Sequence, residues 1–221
     1  MQLAWDLLAK LDATDVREVF NHGVERYLTG DLPVAVALNV LEGADGIVTE
    51  DLMNRVRSHQ KEQSEQDPLG RWSLAIEGGD VESGRKLFFE DSRLSCLRCH
   101  QVGRTGGQVG PNLTTIAAKK DRRYLLESIC TPNAVVAEGF ETALVLTADG
   151  ETIAGIVKSE NEDFLDLIKA DGSMVRLELD DVEARRKGKS SMPDDLIDKL
   201  TMRQLRDLVA YLSSLTTDPR S

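Results

Sequence analysis

Cys96-Leu97-Arg98-Cys99-His100 decides the reading of this chain. Two thiols three residues apart, followed at once by an imidazole, form the attachment motif of a c-type haem. The spacing follows from the chemistry. Each thiol S–H adds across one porphyrin vinyl group, and the short turn then presents the next side chain to the iron. A redox Cys-x-x-Cys pair has no need of the histidine. A zinc site needs two further ligands, and only Cys130, His22 and His59 are left to supply them. One covalent haem c is therefore expected, with His100 as a metal ligand.

Outward from the motif, a glycine-rich loop runs over 103–110 and leads to Pro111-Asn112-Leu113. It is not a phosphate cradle, because it follows no strand and carries no Gly-Lys-Ser/Thr. Upstream, Asp80 is placed to cap a helix over 81–90, with Val81, Gly84, Leu87 and Phe88 on one face. Downstream, a helix over about 121–130 starts at Asp121 and stops before Pro132. Cys130 falls on its apolar side and reads as a core thiol.

Residues 139–186 change character. Leu144 and Leu146 alternate ahead of Asp149-Gly150, and Ile153, Gly155 and Val157 follow it. Leu165 and Leu167 stand before Asp171-Gly172, and Val175, Leu177 and Leu179 after it. Asp-Gly between alternating runs predicts a hairpin. Two hairpins and a short strand near Val182 predict a small antiparallel sheet or barrel inserted into a helical domain. The end is helical again, with a capping box at Thr201-Met202-Arg203-Gln204 and an apolar stripe of Leu205, Leu208, Val209, Leu212 and Leu215.

Residues 1–77 read as short helices: a Pro33 start, Ala35, Leu38 and Leu41 on one stripe, and Leu52, Val56 and His59 on another after Thr49. Paired helices with polar turns suggest the end of a helical-repeat array.

The 221 residues carry a net charge of −11, which disfavours nucleic-acid binding and suits either steering toward a basic partner or solubility alone. No apolar run reaches the length of a transmembrane helix. The start, Met1-Gln2-Leu3-Ala4-Trp5-Asp6, has no basic segment of the signal-peptide kind. Covalent haem is normally attached outside the bacterial cytoplasm, so the chain is expected to be the C-terminal part of a longer exported, periplasmic protein.

The iron's second axial ligand sets the chemistry, since Met ligation suits electron transfer and an open position suits gas binding or peroxide chemistry. The candidates are Met1, Met53, Met174, Met192, Met202, His22 and His59. Met192 reads best. Its loop, Gly188-Lys189-Ser190-Ser191-Met192-Pro193, is irregular, and the proline blocks helix. Met202 opens a capped helix, Met174 lies on a strand opposite Val175, and Met53 and His59 suit core packing. His22 looks like a turn or helix end. A histidine ligand and an open site remain alternatives.

Gly84-Arg85-Lys86-Leu87-Phe88, the Cys96–His100 motif, Gly110-Pro111-Asn112-Leu113, Met192-Pro193 and Leu208–Leu212, in that order, resemble class I cytochrome c. Leu125-Leu126-Glu127-Ser128-Ile129 and Ser191-Met192-Pro193 are similar to the haem-binding domain named for Pirellula and Verrucomicrobium. The resemblance covers roughly 78–216. It implies a mainly α, cytochrome c-like haem domain over 78–216 with a β insert at about 139–186, a helical linker over 1–77 and a tail over 217–221. Cys96, Cys99, His100, Pro111, Leu113 and Met192 would bind the haem. The Pro111 carbonyl would accept the imidazole Nδ1 proton, Met192 would be the distal ligand, and Phe88 would meet Tyr211.

The implied role is an electron carrier between a dehydrogenase and a downstream cytochrome or other acceptor, rather than an enzyme in itself. A five-coordinate peroxidase and a protein-docking module built on the β insert are the alternatives. The separation of 92 positions from His100 to Met192 departs from small cytochromes c.

Overall fold

The computed structural model describes residues 14–217, so Met1 and the chain start lie outside the described residues. The described residues divide into two compact units: 14–84 with 201–210, and 85–200 with 211–217.

The first unit is helical: α1 (Thr14–Leu28), α2 (Val34–Ala44), α3 (Glu50–Gln66) and a 3-10 helix (Gly70–Ala75). The apolar stripes interlock as one core of Phe20, Val24, Val40, Leu41, Ala44, Val56 and Leu74. Thr49 caps α3 by accepting the Leu52 N–H at 3.4 Å. α4 (Val81–Glu90) begins in this unit, capped by Asp80, whose carboxylate accepts the Ser83 N–H at 2.7 Å. α7 (Met202–Ser214) also begins here, and its capping box is closed: Gln204 N–H donates to Thr201 Oγ1, and Thr201 N–H donates to Gln204 Oε1.

The second unit holds the short helix α5 (Cys96–Cys99), a two-stranded ribbon of β1 (Gln101–Val102) and β2 (Thr105–Gly106), and α6 (Arg122–Cys130). Asp121 caps α6 through the Tyr124 N–H at 2.8 Å. A second sheet then forms from β3 (Thr142–Thr147), β4 (Thr152–Glu160), β5 (Phe164–Ile168), β6 (Met174–Glu178) and β7 (Val182–Lys187), in the order β6-β5-β4-β3-β7. All neighbours are antiparallel. Both Asp-Gly hairpins form where expected, with positive φ at Gly150 and Gly172. Phe88 and Tyr211 meet with ring centroids 5.6 Å apart.

The expectation of a mainly α, cytochrome c-like helical domain carrying a small β insert is corrected. Helix occupies 47% and strand 18% of the described residues, and the β segment is one five-stranded antiparallel sheet, so the fold is α+β. The physical reason is that the hairpins do not stand apart. β4 pairs along both edges, and β7 returns to pair with β3, with Ala143 opposite Lys187. The sheet thereby buries a core of its own, Ala143, Val145, Leu165 and Leu167, as a separate layer does.

The phase of β3 also differs. Ala143 and Val145 face that core, while Leu144 and Leu146 are half-buried on the opposite face. Thr142–Leu146 is apolar at every position after the first, so alternation alone does not choose its face.

Among the described residues, no helix is long and apolar enough to cross a membrane.

Candidate functional site

α5 is a single helical turn, so Cys96 and Cys99, three residues apart, project on one side of it. Ser95 enters the turn in the left-handed region at φ 51°, the only non-glycine residue with positive φ among those described. His100 leaves in extended conformation, with its N–H donating to the Cys96 carbonyl at 2.9 Å.

Both thiols are free. Burial pushes Cys96 up to about 11 and also raises Cys99. Both are therefore protonated near neutral pH. A disulfide-exchange pair needs the opposite shift, because the thiolate is the nucleophile.

The His100 imidazole is half-buried, with Nδ1 3.0 Å from the Pro111 carbonyl oxygen. A carbonyl can only accept, so Nδ1 carries the proton and Nε2 keeps its lone pair. Burial lowers the histidine's pKa, and the Pro111 contact opposes that in part. The result is a neutral imidazole oriented through one nitrogen, the arrangement that makes the other a metal ligand. Among the described residues Nε2 has no hydrogen-bond partner.

The glycine-rich loop wraps the motif so closely that side chains are excluded. A Cβ on Gly106 would stand 2.1 Å from the His100 carbonyl oxygen, and one on Gly107 would stand 2.0 Å from that of Arg98. One on Gly110 would stand 2.6 Å from His100 Cε1. Gly107 N–H donates to the Leu97 carbonyl and Gly110 N–H to that of Cys99, at 2.8 and 2.7 Å.

Leu113 is buried, and its N–H donates to the Gln101 carbonyl at 2.8 Å. Asn112 accepts the Thr114 N–H and Oγ1–H, and Thr114 Oγ1 accepts the Gly103 N–H. These bonds hold the chain on both sides of Pro111.

Sequence reasoning missed the wall behind this loop. Val109 is buried with Ile156 of β4 and Ile168 of β5, and Cys99 and Phe140 pack against them. Lys158 Nζ donates to the Gln108 carbonyl at 2.9 Å and lies over the Phe140 ring. Spacing offered no signal for this, since Val109 sits in a glycine run and Ile156 and Ile168 look like ordinary strand residues.

Met192 stands on a different loop. Ser191 Oγ shares a hydrogen bond of 3.1 Å with Thr142 Oγ1, and Ser190 N–H donates to Asn133 Oδ1 at 2.8 Å. Met192 N–H donates to Ser190 Oγ at 3.2 Å, and its side chain is half-buried. The structure thus brings Cys96, Cys99, His100, Pro111 and Leu113 together in one loop system. It bonds none of them directly to Met192 among the described residues.

The other candidates have other surroundings. Met53 and Met202 pack on the helical core, and Met174 is 57% exposed. His59 lies edge-on to Tyr27 and contacts Gln63 at 3.0 Å. His22 is exposed within α1, not at a turn, because the helix continues to Leu28.

The residues at the motif fit a tethered haem: two protonated thiols on one side of a turn, then an imidazole with Nε2 left open. Among the described residues no three His, Cys, Asp or Glu side chains gather as a metal site. A porphyrin brings four nitrogen ligands itself, so its demand on the chain is smaller. Compared with known proteins, the chain matches no family model and no curated protein.

Proposed function

We propose that this chain is an electron-transfer module carrying one covalent haem c, related to the class I cytochromes c and to the Pirellula/Verrucomicrobium haem-binding domains by motif order. A haem held in this way supplies one-electron chemistry at iron. Cys96 and Cys99 tether it as thioethers, His100 Nε2 is the proximal ligand, and Met192 is the distal ligand. Pro111 holds the proton on Nδ1, and Leu113 lies buried in the same loop.

The observation that carries this reading is the oriented neutral imidazole directly after the paired thiols. Two protonated thiols can add to vinyl groups with no change of oxidation state, whereas a disulfide exchanger would need one of them ionised. The donor is proposed to be a dehydrogenase, fused or neighbouring, and the acceptor a downstream cytochrome or other carrier. The location is proposed to be periplasmic. The net charge of −11 would steer basic partners toward the chain.

The test is the full chain expressed with a haem-attachment apparatus. Pigment retained through acid–acetone extraction, and lost in the Cys96→Ser/Cys99→Ser double variant, is the expected result. Pigment that washes out of the wild type overturns the tether. A weak far-red charge-transfer band in the ferric form, abolished by Met192→Ala, is expected of the distal ligand. Rapid carbon monoxide binding without loss of a protein ligand would instead mark an open, peroxidase-type position.

A further inference from the structure

The five-stranded sheet touches both loops that carry the proposed axial ligands, and one row of residues makes both contacts. Thr142 of β3 is the register partner of Ile156 of β4, and Ile156 is the partner of Ile168 of β5. Residues paired in this way put their side chains on the same face of a sheet.

At one end of the row, Thr142 Oγ1 bonds Ser191 Oγ at 3.1 Å, next to Met192. The Thr142 carbonyl also accepts the Gly188 N–H at 2.7 Å. A Cβ on Gly188 would stand 3.0 Å from Thr142 Cγ2, so the loop lies flat on that residue. At the other end, Ile156 and Ile168 pack on Val109, next to the Gly110 that lies against the His100 ring. Lys158, two residues along β4, fastens the Gln108 carbonyl at 2.9 Å.

We propose that the Thr142–Ile156–Ile168 row is a positioning element that holds the Met192 loop and the His100 loop at a fixed separation. The inference rests on the haem reading above and deepens it: the sheet sets whether the thioether reaches the iron. Thr142 and Lys158 are its positioning residues, acting through Ser191 and Gln108. Without a common support, two loops 92 residues apart in sequence would each wander, and ligation would bear the entropy of ordering both.

The experiment compares wild type, Thr142→Val, Thr142→Ser and Lys158→Met as full chains. Thr142→Val keeps the shape and removes the hydroxyl, and Thr142→Ser restores it. Lys158 is exposed, so its replacement leaves the core intact. The far-red band is expected to be lost or sharply weakened in Thr142→Val with covalent pigment retained, and to return in Thr142→Ser. Amide exchange at Ser191 and Met192 should rise about fivefold in Thr142→Val, the effect of losing one ordinary hydrogen bond. In Lys158→Met the corresponding rise falls at Val109 and Gly110.

A full band and unchanged exchange in Thr142→Val overturn the proposal. Pigment that washes out of the wild type overturns the haem reading instead. In that case the exchange rates alone decide the sheet's role: a rise in both variants sustains it, and no rise ends it.

Discussion

Gly110 lies against the face of the His100 imidazole, where a Cβ would stand 2.6 Å from Cε1, 2.7 Å from Nδ1 and 3.1 Å from Nε2. Gly110 does not have positive φ, so alanine there meets no backbone penalty. Its cost is purely steric, and it falls on the ring. Either the imidazole swings off the Pro111 carbonyl or the loop lifts from Cys99. Gly110→Ala is therefore expected to lose about 1–3 kcal/mol of stability, read from urea unfolding. The Nδ1 proton should lose its protected nuclear magnetic resonance signal in the same variant. Wild-type stability with that signal intact would show that the loop has room the geometry denies.

The sheet core makes the next prediction. Leu167 is fully buried among Val145, Leu165 and Ala143. Leu167→Ala is expected to cost about 2–5 kcal/mol, measured by chemical denaturation. If the β segment were a loosely attached pair of hairpins, the loss would be under about 1 kcal/mol, as at exposed positions.

These two sites differ in how much of them could be read from the chain. The Cys96–His100 motif, the Thr201–Gln204 box, the Asp121 cap and both Asp-Gly turns are local, so a few adjacent residues specify each. The fold class was not legible, because it turns on β7 pairing with β3. That ladder joins Ala143 to Lys187 across a long stretch of chain, and β7 carries Glu183, Arg185, Arg186 and Lys187 with little alternation. The strand near Val182 could be read as a strand, but its charged side chains give no hydrophobic pattern that fixes its partner or register. The wall behind the Cys96–His100 motif was hidden because Val109 meets Ile156 and Ile168 only through the tertiary fold.

The helix cap at the start of α7 gives a smaller effect. Thr201→Ala removes the oxygen that accepts the Gln204 N–H at 3.2 Å and leaves the reciprocal bond unsupported. A loss of about 1 kcal/mol is expected, seen as a lower urea midpoint with unchanged slope. Thr201→Ser should recover most of it.

Acid stability should carry the mark of one surface pair. Asp166 on β5 accepts two hydrogen bonds from Arg176 on β6, at 2.7 and 2.9 Å, and one from Ser159 on β4. The Arg176 guanidinium, followed by the Ser159 hydroxyl, brings the Asp166 carboxyl down to about 2. In the unfolded chain the same group titrates near the ordinary value of about 3.9. The folded state therefore binds this proton less readily. Its contribution to stability is fully present above about pH 4 and is lost as pH falls through about 2. Asp166→Asn removes the titrating group, so the acid limb of the urea midpoint between about pH 4 and 2 should flatten relative to wild type. Because the Arg176 side chain is exposed, salt should weaken the wild-type effect and leave the variant unmoved. A variant whose acid limb is as steep as the wild type's would mean that other carboxylates govern acid unfolding.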